Sequence, residues 1–252
     1  MTTLTATPLP ETGAIRLTIT KTGTVDYILR SDVNGQNEVR VLTGQLPSAG
    51  TGLLILEDYE AADGLVTYTV FGAGGTAQAS TQFALSGPWL FVPIIPEYSQ
   101  AVETVTEYDA ARESRSVEHI IIGRPDPIVV LDILGTRKGN LEIWCPDHAA
   151  TVAVANVFSK GETVMLRQPE HDGMDMYFTA SNLATKPYAA NGAATRWAVT
   201  CSFTEVARPI GPRLGSLGWS FGQLATSAPS FAVVAERYAS FADMLTDQRK
   251  DG

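Results

Sequence analysis

Apolar and polar residues alternate with a period of two along much of the first 88 residues of the chain. The alternation is clearest over residues 15–19, 25–29, 39–41 and 66–70. This period is typical of antiparallel strands that have one face buried and the other face in solvent. About seven short strands at this spacing predict an immunoglobulin-like or fibronectin-type-III-like β-sandwich over residues 1–88.

Turn-forming residues separate these predicted strands. Asn34-Gly35 is a favoured pair for the centre of a tight hairpin, and we predict a hairpin there. Asp63-Gly64 forms an acidic turn before the strand that contains Tyr68. Sandwich domains often hold a tyrosine corner after such a turn. Tyr68 is our candidate for it, with an ordinary core tyrosine as the alternative.

The pattern changes after this region and then resumes. Residues 87–96 contain three prolines, which cannot donate backbone hydrogen bonds, so we predict a join between two domains at residues 89–96. The alternation returns over residues 97–210, where we predict a β-barrel. Its candidate strands are residues 102–108, 117–122, 127–134, 139–144, 163–168, 174–182 and 195–206.

Two helices are predicted beside these strands. Asp147 is a good N-cap residue and Gly161 a good C-terminal stop, and the apolar residues between them predict one helix inside the barrel domain. Residues 211–252 are first rich in Gly, Pro, Ser and Ala. Apolar residues spaced three and four apart then run from Phe231 to Leu245. We therefore predict an extended tail that ends in an amphipathic terminal helix.

The charge and the mean hydropathy of the chain indicate which classes of partner it is expected to bind. The chain carries 18 basic and 27 acidic residues, a net charge of −9, and no segment of it forms a basic stripe. Binding of nucleic acid through phosphate neutralisation is therefore disfavoured. Only 18% of the residues are charged and the mean hydropathy is +0.03, which favours a surface that partners cover.

The sequence predicts neither a membrane span nor a secretory signal. The longest apolar runs are far shorter than the stretch that crosses a bilayer as a helix. The N-terminus lacks both the basic and the apolar region of a signal peptide. We expect the protein to be made in a cytoplasm.

No motif in the sequence predicts an active site. The histidines match no metal-ligand spacing: they are His119, His148 and His171. Asp32 and Asn34 resemble the start of a calcium loop, but the later acidic ligands are missing and a hairpin turn explains them better. Cys145 and Cys201 match no metal or redox spacing, and we predict both as buried strand residues. We therefore predict no enzyme, no catalytic, cofactor-binding or metal-binding residues, and no cofactor.

Several stretches spread over nearly the whole chain carry a family resemblance. They are LTATP (4–8), GAIRL (13–17), RSDVNG (30–35), VRVL (39–42), DYEA (58–61), VTY (66–68), GRPDP (123–127), RKGNL (137–141), residues 197–206 with Pro209, Gly218-Trp219 and YASFAD (238–243). With these stretches the chain resembles the minor tail and distal tail proteins of long-tailed phages that infect actinobacteria.

The resemblance implies a place in the virion, at the tail tip, after assembly in the host cytoplasm. It implies an immunoglobulin-like first domain and a second domain similar to the β-barrels of tail-tube and distal-tail proteins. Such barrels form rings, so the first expected partner is the chain itself, as a hexamer or alternatively a trimer. The other implied partners are tail-tube, tape-measure and tail-hub proteins.

Two other functions stay open at this point. The chain could be a carbohydrate-binding module that recognises the host, with exposed tryptophans as platforms: the candidates are Trp89, Trp144 and Trp219. Trp144, however, alternates with Leu141 and Ile143 in a way that suits a core. The chain could also be a hydrolase of cell-wall polymer, which would need an acidic or metal-bearing cleft.

Overall fold

The computed structural model of the 252-residue chain describes residues 1–171, 173–188, 195–213 and 230–237. Strands dominate these residues and confirm the mainly β fold. The chain divides into two compact units. The first, which we call the sandwich unit, contains residues 1–86 and 91–99 and, among the described residues that follow, 209–213 and 230–237. The second, which we call the sheet unit, contains residues 87–90 and 100–208.

Two antiparallel sheets build the sandwich unit. Three strands, in the order β1-β2-β5, form one of them: β1 (Thr3–Leu9), β2 (Ala14–Thr22) and β5 (Thr51–Asp58). Four strands, in the order β4-β3-β6-β7, form the other: β3 (Tyr27–Asp32), β4 (Gly35–Glu38), β6 (Gly64–Phe71) and β7 (Ala77–Phe83).

The alternating sequence pattern accounts for the core of this unit. Along β2, Ile15, Leu17 and Ile19 are fully buried, and Arg16 between them faces solvent. The two sheets also meet through polar contacts, because side chains of β3 and β6 bond the carboxylate of Asp58 at the end of β5. Burying each large aliphatic side chain contributes roughly 1.5–3 kcal/mol to folding.

The predicted hairpin after β3 exists, but its turn lies one residue earlier than expected. β3 ends at Asp32 and β4 begins at Gly35, so Val33 and Asn34 occupy the turn. The backbone N–H of Asn34 donates to Asp32 Oδ1 at 2.9 Å, which stabilises the turn at this position. Gly35 follows with a φ of 95°, a conformation that glycine adopts without steric cost.

The sheet unit holds one large sheet of seven strands, in the order β10-β13-β16-β15-β14-β8-β9. Their bounds are β8 (Trp89–Phe91), β9 (Gln100–Ala101), β10 (Thr104–Ser114), β13 (Leu134–Cys145), β14 (Val164–Arg167), β15 (Met176–Pro187) and β16 (Trp197–Glu205). The predicted barrel is corrected here, because within the described residues this sheet is open and ends at β9 and β10. Residues 117–122 and 127–133 of the predicted strands 117–122 and 127–134 do not join it, so they cannot close it.

One face of this sheet is covered by the predicted internal helix, α1 (His148–Phe158). The Asp147 side chain caps it by accepting from the Ala150 N–H at 2.8 Å, as the sequence predicts. Thr151, Val154 and Val157 are its buried residues. Among the described residues, no helix has both the length and the apolar composition needed to cross a membrane.

The segment that follows β16 is fixed to the sandwich unit. The guanidinium of Arg40 pairs with Glu60 at 3.0 Å, and it donates to the carbonyls of Pro209 (2.7 Å) and Gly211. The N–H of Arg213 donates to Val41 O at 2.8 Å. Part of the predicted extended tail is therefore a docked strand-like segment.

The predicted terminal helix is described only at its start, as α2 (Phe231–Arg237). The remaining residues of its apolar stripe lie outside the described residues: Tyr238, Phe241, Ala242 and Leu245. Trp219 also lies outside them.

Candidate interaction surface on an exposed apolar arm

A two-stranded hairpin projects from the chain between β10 and β13. Its strands are β11 (Val117–His119) and β12 (Ile128–Val130), which pair antiparallel with Val117 opposite Val130 and His119 opposite Ile128. They form a sheet of their own, separate from the seven-stranded sheet. We call residues 115–134 the arm.

The arm exposes an unusual amount of apolar surface. Ten of its large aliphatic side chains are exposed, each by at least 41%: Val117, Ile120, Ile121, Ile122, Ile128, Val129, Val130, Leu131, Ile133 and Leu134. Elsewhere in the described chain, large exposed apolar residues stand singly along the sequence. Exposed apolar residues concentrated in one segment of a folded protein mark a site of interaction.

The arm is also too small to be stable through its own contacts. It has three cross-strand pairs, and an isolated two-stranded hairpin is at best marginally stable in water. Burying each of its valine, leucine or isoleucine side chains against a partner would release roughly 1.5–3 kcal/mol. The arrangement therefore favours a state in which the arm is covered.

Both faces of β12 are apolar. Successive strand residues point to opposite faces, so Ile128 and Val130 share one face with Val117 of β11, whereas Val129 lies on the other face with Glu118. Strands covered on one face alternate, and strands covered on both faces form continuous apolar runs. The run of four apolar residues at 128–131 is of the second kind.

The charges of the arm nearly cancel. It contains two arginines and three acidic residues, a net charge of −1, whereas the whole chain carries −9. At its tip, Arg124 Nη2 lies 2.9 Å from Asp126 Oδ2. A surface that is apolar and close to neutral loses little solvation when it is buried.

The structure does not bring the candidate ligands together. His119 lies exposed in β11, His148 begins α1 with its ring against Trp197, and His171 lies in the loop after β14. Asp32 is buried in an ion pair with Arg30. Within the described ranges, no group of three or more His, Cys, Asp or Glu residues could hold a metal ion.

Both cysteines are buried strand residues, as predicted, and both are free thiols. Cys201 lies opposite Leu141 of β13, and Cys145 lies four residues further along that strand. Four strand residues span roughly 13 Å, whereas a disulfide needs Cα atoms within about 7 Å. Burial raises the pKa of Cys201 to about 11 and also raises that of Cys145, so neither thiol is reactive at neutral pH.

Arg137, near the start of β13, is an internal anchor of the sheet unit. Its guanidinium donates to Glu205 Oε1 at 2.7 Å, to the Tyr108 hydroxyl at 3.1 Å and to Asp175 O at 3.0 Å. These bonds connect β10, β13 and β16 with the loop before β15. The hydrogen bond from Arg137 holds the pKa of Glu205 below its usual range.

A second surface combines aromatic and charged residues on the outer face of the sheet unit. Trp144 is half-buried and lies on the opposite face of β13 from Leu141 and Ile143, so its predicted place in the core is wrong. Its ring centroid is 5.1 Å from that of Tyr188, which is 64% exposed, and 6.0 Å from the guanidinium of Arg196. We call these residues, with Glu142 and Lys186, the Trp144 patch.

Hydrogen bonds fix the orientation of this patch. Trp144 Nε1 donates to Glu142 Oε1 at 3.0 Å, and Lys186 Nζ lies 2.7 Å from Glu142 Oε2. The bond from Lys186, followed by that from Trp144, lowers the pKa of Glu142. Trp89, the second candidate platform, is buried.

No protein-family model matches the chain, and no curated protein matches its sequence. The arm and the Trp144 patch are therefore the candidate functional surfaces of the chain.

Proposed function

We propose that the chain is a structural component of a phage tail tip, a minor tail or distal tail protein that assembles with copies of itself into a ring. The observation that carries this proposal is the arm, with its ten exposed aliphatic side chains. A surface of this kind forms contacts with other proteins. The arm contains no group of residues arranged for catalysis. The ring joins the tail tube to the proteins of the tip.

The sandwich unit supports the same assignment. Its sheets have the orders β1-β2-β5 and β4-β3-β6-β7, and all neighbouring strands are antiparallel. Two stacked antiparallel sheets of seven short strands are typical of immunoglobulin-like and fibronectin-type-III-like domains. Domains of this kind act as accessory modules, which suits a decorated tail tip.

Light scattering across a range of protein concentrations tests self-assembly. We expect a discrete species whose mass is a whole multiple of the 27.0 kDa chain, a hexamer or a trimer. Closed symmetric assemblies give one defined mass, because every copy uses the same contacts. A monomer at every concentration would contradict the proposal, and a continuous mass distribution would indicate aggregation through the arm.

The Trp144 patch supports a second candidate function, recognition of host carbohydrate. Tyr188 and Trp144 offer aromatic rings beside Lys186, Arg196 and Glu142, which can donate to and accept from hydroxyl groups. Rings that are partly exposed and fixed by neighbours stack without a large loss of conformational entropy.

Calorimetric titration with soluble cell-wall oligosaccharides tests this second candidate. Tyr188→Ala removes an exposed ring and should weaken binding about tenfold, in line with an aromatic contact of about 1.5 kcal/mol. Tyr27→Ala, which removes an exposed ring from the sandwich unit, is the control and should leave binding unchanged. Absence of binding by the unmodified protein would eliminate the carbohydrate function.

A further inference from the structure

We infer that the arms of neighbouring copies pack on one another, so that each arm lies between the arms of two other copies. This inference rests on the proposed self-assembly and specifies its contact surface. It identifies the partner of the arm as a second copy of this chain and the contact as arm against arm.

The surface of a second copy that covers the arm must itself be apolar. An apolar surface is best buried against another apolar surface, because a polar partner would lose its own hydration without compensation. In the described chain, the arm is the one long stretch of exposed aliphatic residues, whereas the others stand singly. Within the part of the chain that the structure describes, the surface of a second copy that matches the arm is therefore its own arm.

The net charge of the arm differs from that of the whole chain. Copies that each carry −9 repel one another in general. The arm carries only −1, and the pair between Arg124 and Asp126 neutralises its tip. Contacts between arms therefore avoid the repulsion that contacts through the acidic remainder of the surface would meet.

The two apolar faces of the arm determine how many neighbouring copies each arm contacts. Val117, Ile128 and Val130 form one apolar face of the hairpin, and Val129 lies on the other face. A two-fold dimer would cover one face of each arm and leave the other in water. Covering both faces requires two neighbours, with the Val129 face of one arm against the Val130 face of the next. A head-to-tail contact whose rotation closes gives a ring of three or more copies, which is the form of the proposed assembly.

Cross-linking of the full-length oligomer tests this arrangement directly. A double variant, Val129→Cys with Val130→Cys, places one thiol on each face of the arm, and a short bismaleimide joins thiols that meet across a contact. The native Cys145 and Cys201 are buried and do not compete. We expect a ladder of covalent species that ends at the mass of the unmodified oligomer. Each single variant should give few products, because like faces do not meet.

Charged substitutions supply the second measurement. Val129→Asp and Val130→Asp each put a carboxylate into every arm contact and should raise the dissociation constant of the oligomer by about 100-fold or more. Both positions are exposed in the single chain, so its far-ultraviolet circular dichroism should not change. Val33→Asp, at an exposed position of the β3–β4 turn, is the matched control and should leave the oligomer intact.

The outcomes separate the inference from the proposed function. If the unmodified protein is an oligomer that survives both Asp substitutions, or one whose double variant does not cross-link, the inference is overturned while self-assembly stands. An oligomer that is only a dimer, or single variants that cross-link efficiently, overturn the two-neighbour contact. A monomeric unmodified protein contradicts the proposed self-assembly and the inference together.

Discussion

Replacing Arg30 by methionine is expected to lower the free energy of unfolding of the sandwich unit by about 3–5 kcal/mol. Arg30 is 2% exposed, and its guanidinium lies 2.8 Å from Asp32 and 2.9 Å from Asp58. Methionine keeps most of the aliphatic stem but removes the charge. Two carboxylates would then remain buried without their cation, and this cost is what makes breaking a buried ion pair destabilising.

The surrounding bonds explain why the cluster cannot simply open to water. Asp58 also accepts from the Tyr68 hydroxyl at 3.0 Å and from the Glu60 N–H at 3.0 Å. Asp32 accepts from the Ala62 N–H at 3.1 Å. The carboxylates are thus held in place by the backbone between β5 and β6, and relaxation toward solvent would break those bonds as well.

Hydrogen exchange of peptides from β3 and β6 measures the effect in the full-length protein. Tryptophan fluorescence is unsuitable, because the three tryptophans among the described residues belong to the sheet unit: Trp89, Trp144 and Trp197. Arg16→Met is the matched control: Arg16 pairs with Glu57 at 2.7 Å, but its side chain is 47% exposed. An exposed pair contributes about 1 kcal/mol at most. Equal losses in the two variants would show that burial does not determine the effect.

The same cluster shows where a sequence prediction meets its limit. Tyr68 is fully buried near the turn at Asp63, as the tyrosine-corner hypothesis requires, but its hydroxyl donates to a carboxylate rather than to upstream backbone. Burial, then the charge of Asp58, raises its pKa. Alternation alone could predict the buried ring. It could not predict the acceptor, because Asp58 and Arg30 approach Tyr68 only through the stacking of two sheets.

Two strands of the sandwich, β1 and β5, lie outside the stretches where the alternation of large apolar residues is clearest. β5 contains four consecutive apolar residues at 53–56, and β1 is a threonine-rich edge strand with few large apolar residues. The expected strand at 39–41 is wrong, because β4 ends at Glu38. Val39 and Leu42 are buried, so their apolar character reflects core packing outside a strand.

In the arm, the sequence predicts strands but not what covers them. Its apolar runs at 120–122 and 128–131 are evident in the sequence, and they predicted strands of a barrel. Local pattern indicates that a strand needs cover, but it does not say whether the cover comes from the same chain or from another. The seven-stranded sheet leaves the runs exposed, which turns a prediction about the core into a proposal about assembly.

Replacing Gly139 by alanine is expected to destabilise the sheet unit by about 3 kcal/mol, the upper end of the usual range for overpacking. Gly139 lies in β13 between Ala110 of β10 and Phe203 of β16. A Cβ at this position would lie 1.5 Å from the carbonyl oxygen of Asp109. That atom belongs to the backbone of the neighbouring strand, so no rotamer change relieves the overlap and the β10–β13 ladder must separate.

Urea unfolding followed by tryptophan fluorescence reports on this unit, since Trp144 and Trp197 lie in β13 and β16. Gly135→Ala on the same strand is the matched control, because its added Cβ would lie 3.4 Å from the nearest atom, the Glu113 carbonyl oxygen. Both substitutions remove the same backbone entropy from the unfolded chain, which by itself stabilises the protein slightly. A difference between them therefore isolates the clash. If the Gly139 variant were as stable as the Gly135 variant, β10 would have to yield at no cost, and the ladder at the base of the arm would be looser than its hydrogen bonds imply.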